Sequence, residues 1–296
     1  MVFSVKDKLE ITADAALCKR CGDCEAVCPS RVFQWKDDAI GIVSAGRCIG
    51  CGHCVAACPN AALRHSELPF ERFESLTGDP AVDAAAIGRI LRERRTVRRF
   101  ARDAMPDAEI EALLDAARHA PTSTNSQNVR FTVFSGPEKV GALAEWVARY
   151  YLKLERQLEN PLVRLGIQIA VGRKLVNAYR ARMPAIAEMF RETLAGDDRL
   201  FYGAPAVAIL FASGMPHLAA ANCGLAAAQI LLAAEPRGLG ACFNGYALTA
   251  LIRDKSVRQK CGLPGEYTPG AVIAIGRPAG RFYRVPPRQA RRVIWF

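Results

Sequence analysis

Cys18-Lys-Arg-Cys21-Gly-Asp-Cys24-Glu-Ala-Val-Cys28-Pro29 returns thirty residues further on as Cys48-Ile-Gly-Cys51-Gly-His-Cys54-Val-Ala-Ala-Cys58-Pro59. Eight of the eleven cysteines are spent in these two copies. A tight loop with a cysteine at every third residue brings three thiolates to three corners of a small cube. The fourth cysteine of each copy, turned away by the proline after it, sits too far round to join them. Gly22, Gly50 and Gly52 suit backbone that must come close to sulfur. Zinc is the alternative, but structural zinc sites pair two knuckles across a longer loop rather than packing four cysteines into eleven residues. A disulfide framework fits less well, since it belongs to small secreted chains and this one has 296 residues.

The doubled Cys-x2-Cys-x2-Cys-x3-Cys-Pro run resembles the ligand run of bacterial two-cluster ferredoxins. The resemblance implies that Cys18, Cys21, Cys24 and Cys58 hold one [4Fe–4S] cluster and that Cys48, Cys51, Cys54 and Cys28 hold the other. Residues 1–66 are then a ferredoxin-like electron-transfer module, with short strands around Val32-Phe33 and Ile40 to Val43.

Half of the 296 residues are apolar, enough for a sizeable core beside a small module, so two domains are expected. The first residues carry no apolar leader, and cluster thiolates need a reducing compartment, which points to the cytoplasm. The weakly polar run His217 to Ala234 approaches the length of a membrane span. Its alanines, Asn222 and Gln229 read instead as a helix buried in a core, so no membrane span is expected. The net charge of +11 comes from scattered arginines with no nucleic-acid-binding motif among them. Anionic cofactors, substrates or an acidic partner account for it, and no nucleic acid is expected.

Residues 67–84 read as a linker packed on the surface, and Asp79-Pro80 reads as the start of a helix running through Ile90-Leu91. That helix ends in Arg94-Arg95-Thr96-Val97-Arg98-Arg99-Phe100. A second helix, Asp107 to His119, shows an apolar face of Ile110, Leu113, Leu114 and Ala117. It runs into Ala120-Pro121-Thr122-Ser123-Thr124-Asn125-Ser126-Gln127, a loop able to hydrogen-bond a polar heterocycle.

The pair Arg-Arg-Thr-Val-Arg-Arg-Phe and Ala-Pro-Thr-Ser-Thr-Asn-Ser-Gln resembles the two FMN-binding segments of the nitroreductase family. The likeness continues through strands at Asn128 to Ser135 and Ala204 to Phe211, through Arg237-Gly-Leu-Gly-Ala-Cys-Phe-Asn-Gly245, and through Gly270 to Pro278. It implies an α+β chain: a small two-[4Fe–4S] ferredoxin-like module, then a nitroreductase-like FMN domain over residues 85–296, with a central, mostly antiparallel sheet flanked by helices. By that resemblance Arg94, Arg95, Thr96 and Arg98 grip the FMN phosphate and ribityl chain, a task suited to arginine's planar fork. Pro121, Thr122, Ser123, Asn125 and Gln127 lie against the flavin. Asn244-Gly245 stands where many members have Glu-Gly. One or more of Arg281, Arg284 and Arg288 completes the phosphate site, with Arg284 and Arg288 favoured. Residues 137–200 are a helical insertion that covers the flavin, or else a peripheral hairpin.

Of the remaining cysteines, Cys223 and Cys261 read as core, and Cys242, beside the presumed flavin loop, as core or redox-active. His53 reads as a surface residue or a tuner of potential, and His119 and His217 as possible proton donors that no spacing singles out.

The whole resembles nitroreductases fused behind a two-cluster ferredoxin. That implies an oxidoreductase passing electrons from an external donor, a ferredoxin or NAD(P)H, through two clusters to FMN and on to a nitro compound, quinone or activated alkene. Two other readings stay open. One is a flavin reductase fed directly by NAD(P)H with clusters that buffer electrons, and the other is a non-catalytic carrier or redox sensor. The family resemblance and the apolar Val293-Ile-Trp-Phe296 tail imply a homodimer.

Overall fold

The computed structural model describes residues 9–36, 39–76 and 83–296. They fall into two compact units, Met1–Val82 with Thr124–Ser126, and Asp83–Ser123 with Gln127–Phe296.

The first unit is built on its repeat. Strand β1 (Ile11–Ala13), helix α1 (Asp23–Ala26), strands β2 (Phe33–Lys36) and β3 (Ala39–Ile42), helix α2 (His53–Ala57) and strand β4 (Leu63–His65) follow in order. β1 pairs antiparallel with β4, Ile11 opposite His65, and β2 with β3, Phe33 opposite Ile42. Each short helix starts directly after the second cysteine of its run. Gly22 and Gly52 make that turn at φ 83° and 74°, a left-handed conformation that glycine adopts without strain. Ile11, Val32, Phe33, Cys54, Val55 and Leu63 form the small core, and Phe73 packs against it. Phe73, in the 67–84 stretch expected to pack on the surface, thus packs on this module.

The second unit begins at α3 (Ala84–Glu93), capped by Asp83, whose Oδ1 accepts from Ala85 N at 2.9 Å. The helix start expected at Asp79-Pro80 lies outside the described residues. After α4 (Asp107–Arg118) come strand β5 (Val129–Ser135), the long helices α5 (Pro137–Glu159), α6 (Pro161–Val171) and α7 (Arg173–Leu194), and strand β6 (Ala206–Ala212). Helix α8 (Pro216–Ala234), strand β7 (Gly240–Phe243), helices α9 (Gly245–Arg253) and α10 (Lys255–Lys260), and strand β8 (Thr268–Gly276) complete it. The four strands form one antiparallel sheet in the order β5-β6-β8-β7.

Strands β6 and β8 are apolar on both sides, as a sheet covered on both faces requires. Val207, Ile209, Phe211, Val272 and Ala274 face one core with α5, α7 and α9, while Ala206, Ala208, Leu210, Ile273 and Ile275 face the other with α4 and α8. α8 is long and apolar enough to cross a membrane by length and composition alone. It packs on β6, β8 and α4, burying Asn222, Cys223, Ala226, Ala227 and Ile230.

The chain leaving α3 is laced to the sheet edge. Thr96 bridges Ala241 in parallel and Phe100 bridges Pro278 in antiparallel fashion, with Val97 N donating to Ala241 O at 3.2 Å. Val97 is buried so close to Gly240 that a Cβ there would stand 2.4 Å from Val97 Cγ2. Gly240→Ala is therefore expected to cost about 1–3 kcal/mol through overpacking, read as a lower urea midpoint at unchanged slope.

Candidate functional site

The eight motif cysteines separate into two groups. One cavity, of about 410 Å³, is lined by Cys18, Cys21, Cys24 and Cys58, and another, of about 320 Å³, by Cys28, Cys48, Cys51 and Cys54. Each takes its fourth cysteine from the other copy of the run. Among the described residues no three Cys, His, Asp or Glu side chains converge tightly enough for a single metal ion. Burial pushes the Cys54 thiol up to about 11, and Cys48, Cys51 and Cys28 add to the rise by repulsion. Burial likewise raises Cys24, with Cys21 and Cys18 adding to it. Backbone amides already point at sulfur: Val32 N donates to Cys28 Sγ at 3.3 Å, Ala62 N to Cys58 Sγ at 3.2 Å and Gly50 N to Cys48 Sγ at 3.3 Å.

In the second unit a cavity of about 770 Å³ opens at the start of α9. Arg98, Tyr202, Cys242, Asn244 and Gly245 line it, with Tyr151, Tyr179 and Tyr246. Arg98 comes from the laced segment, Cys242 from β7, and Asn244-Gly245 from the β7–α9 turn. Tyr151 and Tyr179 come from α5 and α7, so the 137–200 helices supply part of the wall. Tyr151 stacks on Phe190 with ring centroids 4.6 Å apart and meets Tyr246 edge-on at 5.5 Å, which pins α9 to the long helices.

Asn244 is buried, 5% exposed, and its amide is spent on structure. Its Oδ1 accepts from Ala247 N at 2.9 Å as the cap of α9, and its Nδ2 donates to Leu200 O at 2.7 Å. An asparagine suits that position because one amide caps and anchors at once. Gly245 follows as the first residue of α9.

Arg95 behaves differently from Arg98. Its Nη1 donates to Arg92 O at 2.6 Å and to Arg94 O at 2.7 Å, while its Nε and Nη2 are buried without a hydrogen-bond partner. Such donors call for an acceptor the chain itself does not supply. Arg94 caps the end of α3.

Tyr202 is a site residue that sequence reasoning missed. It sits at φ 59°, held there by Asp198, whose carboxylate accepts from the amides of Leu200, Phe201 and Gly203 at 2.8–3.1 Å. Burial raises the Tyr202 hydroxyl, the nearby Cys242 adds to the rise, and Arg98 opposes it. Burial also raises Cys242, again opposed by Arg98, so this thiol stays protonated at neutral pH. Cys223 and Cys261 are buried and pushed up to about 12, consistent with core roles. His53, His119 and His217 are exposed, and neither His119 nor His217 lines the cavity.

The Pro121–Gln127 loop carries three non-glycine residues in the left-handed region, Thr124 at φ 52°, Asn125 at 52° and Gln127 at 44°. Gln127 N donates to Thr122 Oγ1 at 3.0 Å. Within the first unit, Asn125 Nδ2 donates to Gly50 O at 3.0 Å. Ser123 is fixed by Asn222, a buried amide on α8 that sequence reasoning left as part of an apolar run. Its Oδ1 accepts from Ser123 N at 3.0 Å, and its Nδ2 donates to Asn128 Oδ1 at 3.1 Å. Pro121 is exposed and Thr122 half-buried. Arg284 and Arg288 lie on the exposed segment after β8 and do not line the Arg98 cavity.

An antiparallel sheet between helix layers, with arginines laced to its edge and a cysteine-rich module before it, defines an α+β redox-type architecture. The chain belongs to the nitroreductase family, whose profile matches residues 91–277, and residues 17–63 match the 4Fe-4S dicluster domain. Nitroreductase NfnB of Mycolicibacterium smegmatis is 31% identical over 197 residues, 64% of this chain and 82% of that protein. A 4-nitrobenzoate reductase of a Nocardioides species is 27% identical over 226 residues, 71% of this chain and 87% of that one. In fold the chain is similar to an FMN-bound nitroreductase from Bacteroides fragilis, with TM-score 0.54 and 19% identity over 71% of this chain and 98% of the other.

Asn222→Ala removes the part-buried bonds to Ser123 N and Asn128 Oδ1 at the root of the loop. A loss of about 1–3 kcal/mol is expected, together with faster hydrogen exchange at the Ser123 amide, while the amides of β6 keep their protection.

Proposed function

We propose that this chain is an FMN- and [4Fe–4S]-dependent oxidoreductase that takes electrons from an external donor at its cysteine-rich unit and delivers them to a small organic acceptor at the Arg98 cavity. The observation that carries the reading is the sorting of eight cysteines into two four-cysteine cavities, in a chain whose other unit belongs to the nitroreductase family. Each cavity gathers three cysteines of one run and the last of the other, a ligand set that favours two [4Fe–4S] clusters over zinc. Cys18, Cys21, Cys24 and Cys58 would hold one, and Cys48, Cys51, Cys54 and Cys28 the other.

FMN fits the second unit on two counts. The unpartnered Nε and Nη2 of Arg95 suit a phosphate, and the open cavity lined by Arg98, Asn244 and Gly245 suits a cofactor. Arg94, Arg95, Thr96 and Arg98 would hold the phosphate and ribityl chain, Gly245 would offer its backbone to the ring system, and the Pro121, Thr122, Ser123, Asn125 and Gln127 segment would lie against it. When bound, FMN supplies the conversion between one-electron delivery and two-electron reduction. Tyr202 Oη, protonated at neutral pH because burial raises it, is a hydrogen-bond donor at the wall.

The acceptor has apolar room. A second cavity of about 660 Å³ shares Tyr179 and Thr249 with the first and is lined by Leu154, Leu158, Ile167 and Val176. That lining suits a nitroaromatic, a quinone or an activated alkene, in keeping with the Nocardioides relative, a 4-nitrobenzoate reductase. The proposed setting is cytoplasmic, where the thiolates stay reduced.

The reading extends to a homodimer. Phe282, Tyr283, Val285, Ile294, Trp295 and Phe296 are all more than half exposed in one chain, an apolar load that a second copy would cover. Arg284 and Arg288 would complete the phosphate site from that arm. Light scattering is expected to give the mass of two chains, and the mass of one would refute the dimer.

Anaerobic absorbance tests the electron path. Reduced ferredoxin or dithionite is expected to bleach the flavin band, and NADH alone is not. Turnover driven by reduced ferredoxin should fall at least tenfold in Cys21→Ala with FMN retained, and unchanged turnover would sink the reading. Arg98→Ala should bind FMN about tenfold more weakly, a loss of roughly 1.4 kcal/mol.

A further inference from the structure

The two cysteine runs are copies, and the copying continues past the cysteines. Val32, Phe33, Gln34 and Trp35 stand thirty residues before Ala62, Leu63, Arg64 and His65. The copies share hydrogen bonds as well, Val32 N to Cys28 Sγ at 3.3 Å and Ala62 N to Cys58 Sγ at 3.2 Å. The side chains differ at all four positions, and the last pair differs in what it brings to the cysteines. Trp35 lines the first cavity, and no hydrogen bond runs from its indole to a cysteine among the described residues. His65 is 4% exposed, and its Nε2 lies 3.5 Å from Cys48 Sγ.

Which ring nitrogen carries the proton follows from the bonds. A buried imidazole needs both nitrogens satisfied. Nδ1 accepts from Glu67 N–H at 3.2 Å, so its lone pair is engaged there and the proton of the neutral ring sits on Nε2. The approach to Cys48 is therefore an N–H pointed at sulfur. Gly50 N donates to the same sulfur at 3.3 Å, beside the imidazole.

We propose that His65 tunes the cluster held by Cys48, Cys51, Cys54 and Cys28, setting its reduction potential above that of its twin. The inference rests on the two-cluster reading. An added electron raises the negative charge on the ligand sulfurs, so a donor aimed at one of them stabilises the reduced state more than the oxidised state. Trp35, at the matching place, contributes bulk without that bond. The asymmetry gives the pair a direction. One electron leaving the first-motif cluster, which is thereby oxidised by one, reduces the second-motif cluster by one and travels downhill.

The test is an EPR-monitored redox titration of the full chain with its clusters assembled anaerobically, using Cys21→Ser to mark the wave of the first-motif cluster. His65→Phe keeps a ring of similar size and removes the donor. The second-motif wave is expected to move to lower potential, the reduced-to-oxidised ratio at the original midpoint dropping roughly tenfold, about 59 mV for one electron. The first-motif wave should stay in place, and His65→Gln, which restores a neutral N–H, should recover most of the shift. An unmoved second-motif wave, an equal shift in both variants, or movement of the first-motif wave alone overturns the proposal. If His65→Phe fails to assemble clusters, protein with His65 intact and labelled with 15N-histidine decides. His53 also lines the second-motif cavity, so the labelled protein carries His53→Ala; a hyperfine coupling from a histidine nitrogen to the reduced second-motif cluster is expected, and its absence overturns the proposal. Wild-type protein that takes up fewer than two clusters refutes the two-cluster reading itself, a failure visible before any variant is made.

Discussion

The second unit depends on the pairing of β8 with a strand on each of its edges. β8 is buried on both faces between β6 and β7, and both halves of the Arg98 cavity hang from it. At one point Asn244 N donates to Val272 O at 2.7 Å, which fixes the turn leading into α9. Beyond the other end, Arg277 O accepts from Ala101 N at 2.8 Å and Arg99 O from Ala279 N at 2.9 Å, which fixes the arginine segment. A strand with no solvent-facing side cannot shift register without burying the wrong residues. The spacing between the arginines and the Asn244-Gly245 turn is thus set by the stiffest element of the unit.

Much of this was legible in the sequence because it is local. The cysteine spacing, the alternation of apolar residues in α4, and the order of strands and polar loops need no tertiary knowledge. The sorting of the cysteines into two cavities follows the repeat itself. Asn244 was legible only in part. Its departure from a family carboxylate was plain, but the reason, a side chain already engaged by Ala247 N and Leu200 O, depends on a residue 44 positions away. That residues 67–84 pack on the surface was legible from their composition, but not which residue does so, and it is Phe73 that meets the cysteine-rich core.

Tyr202, Asn222 and His65 were not singled out, and each was hidden in its own way. Tyr202 depends on a left-handed turn, whose signal is the short Asp198 to Gly203 stretch rather than any recurring pattern. Asn222 looked like an interruption in an alanine-rich helix, yet the interruption is the anchor, since its Oδ1 accepts from Ser123 N and an apolar residue there could not. His65 had a usable signal. It follows Leu63 at a spacing of two in a short strand, which places both on the buried face.

Duplication of a cysteine run produces two sites of equal standing, and two equal sites have no preferred order. Differences in the residues just past the cysteines are what distinguish them. In this chain the backbone donors of the last cysteines have been kept alike in both halves, while the aromatic place beside them has diverged into an indole and an imidazole. Two copies of one run with unlike side chains beside their sulfurs are chemically distinguishable sites, and only distinguishable sites can give a relay a direction.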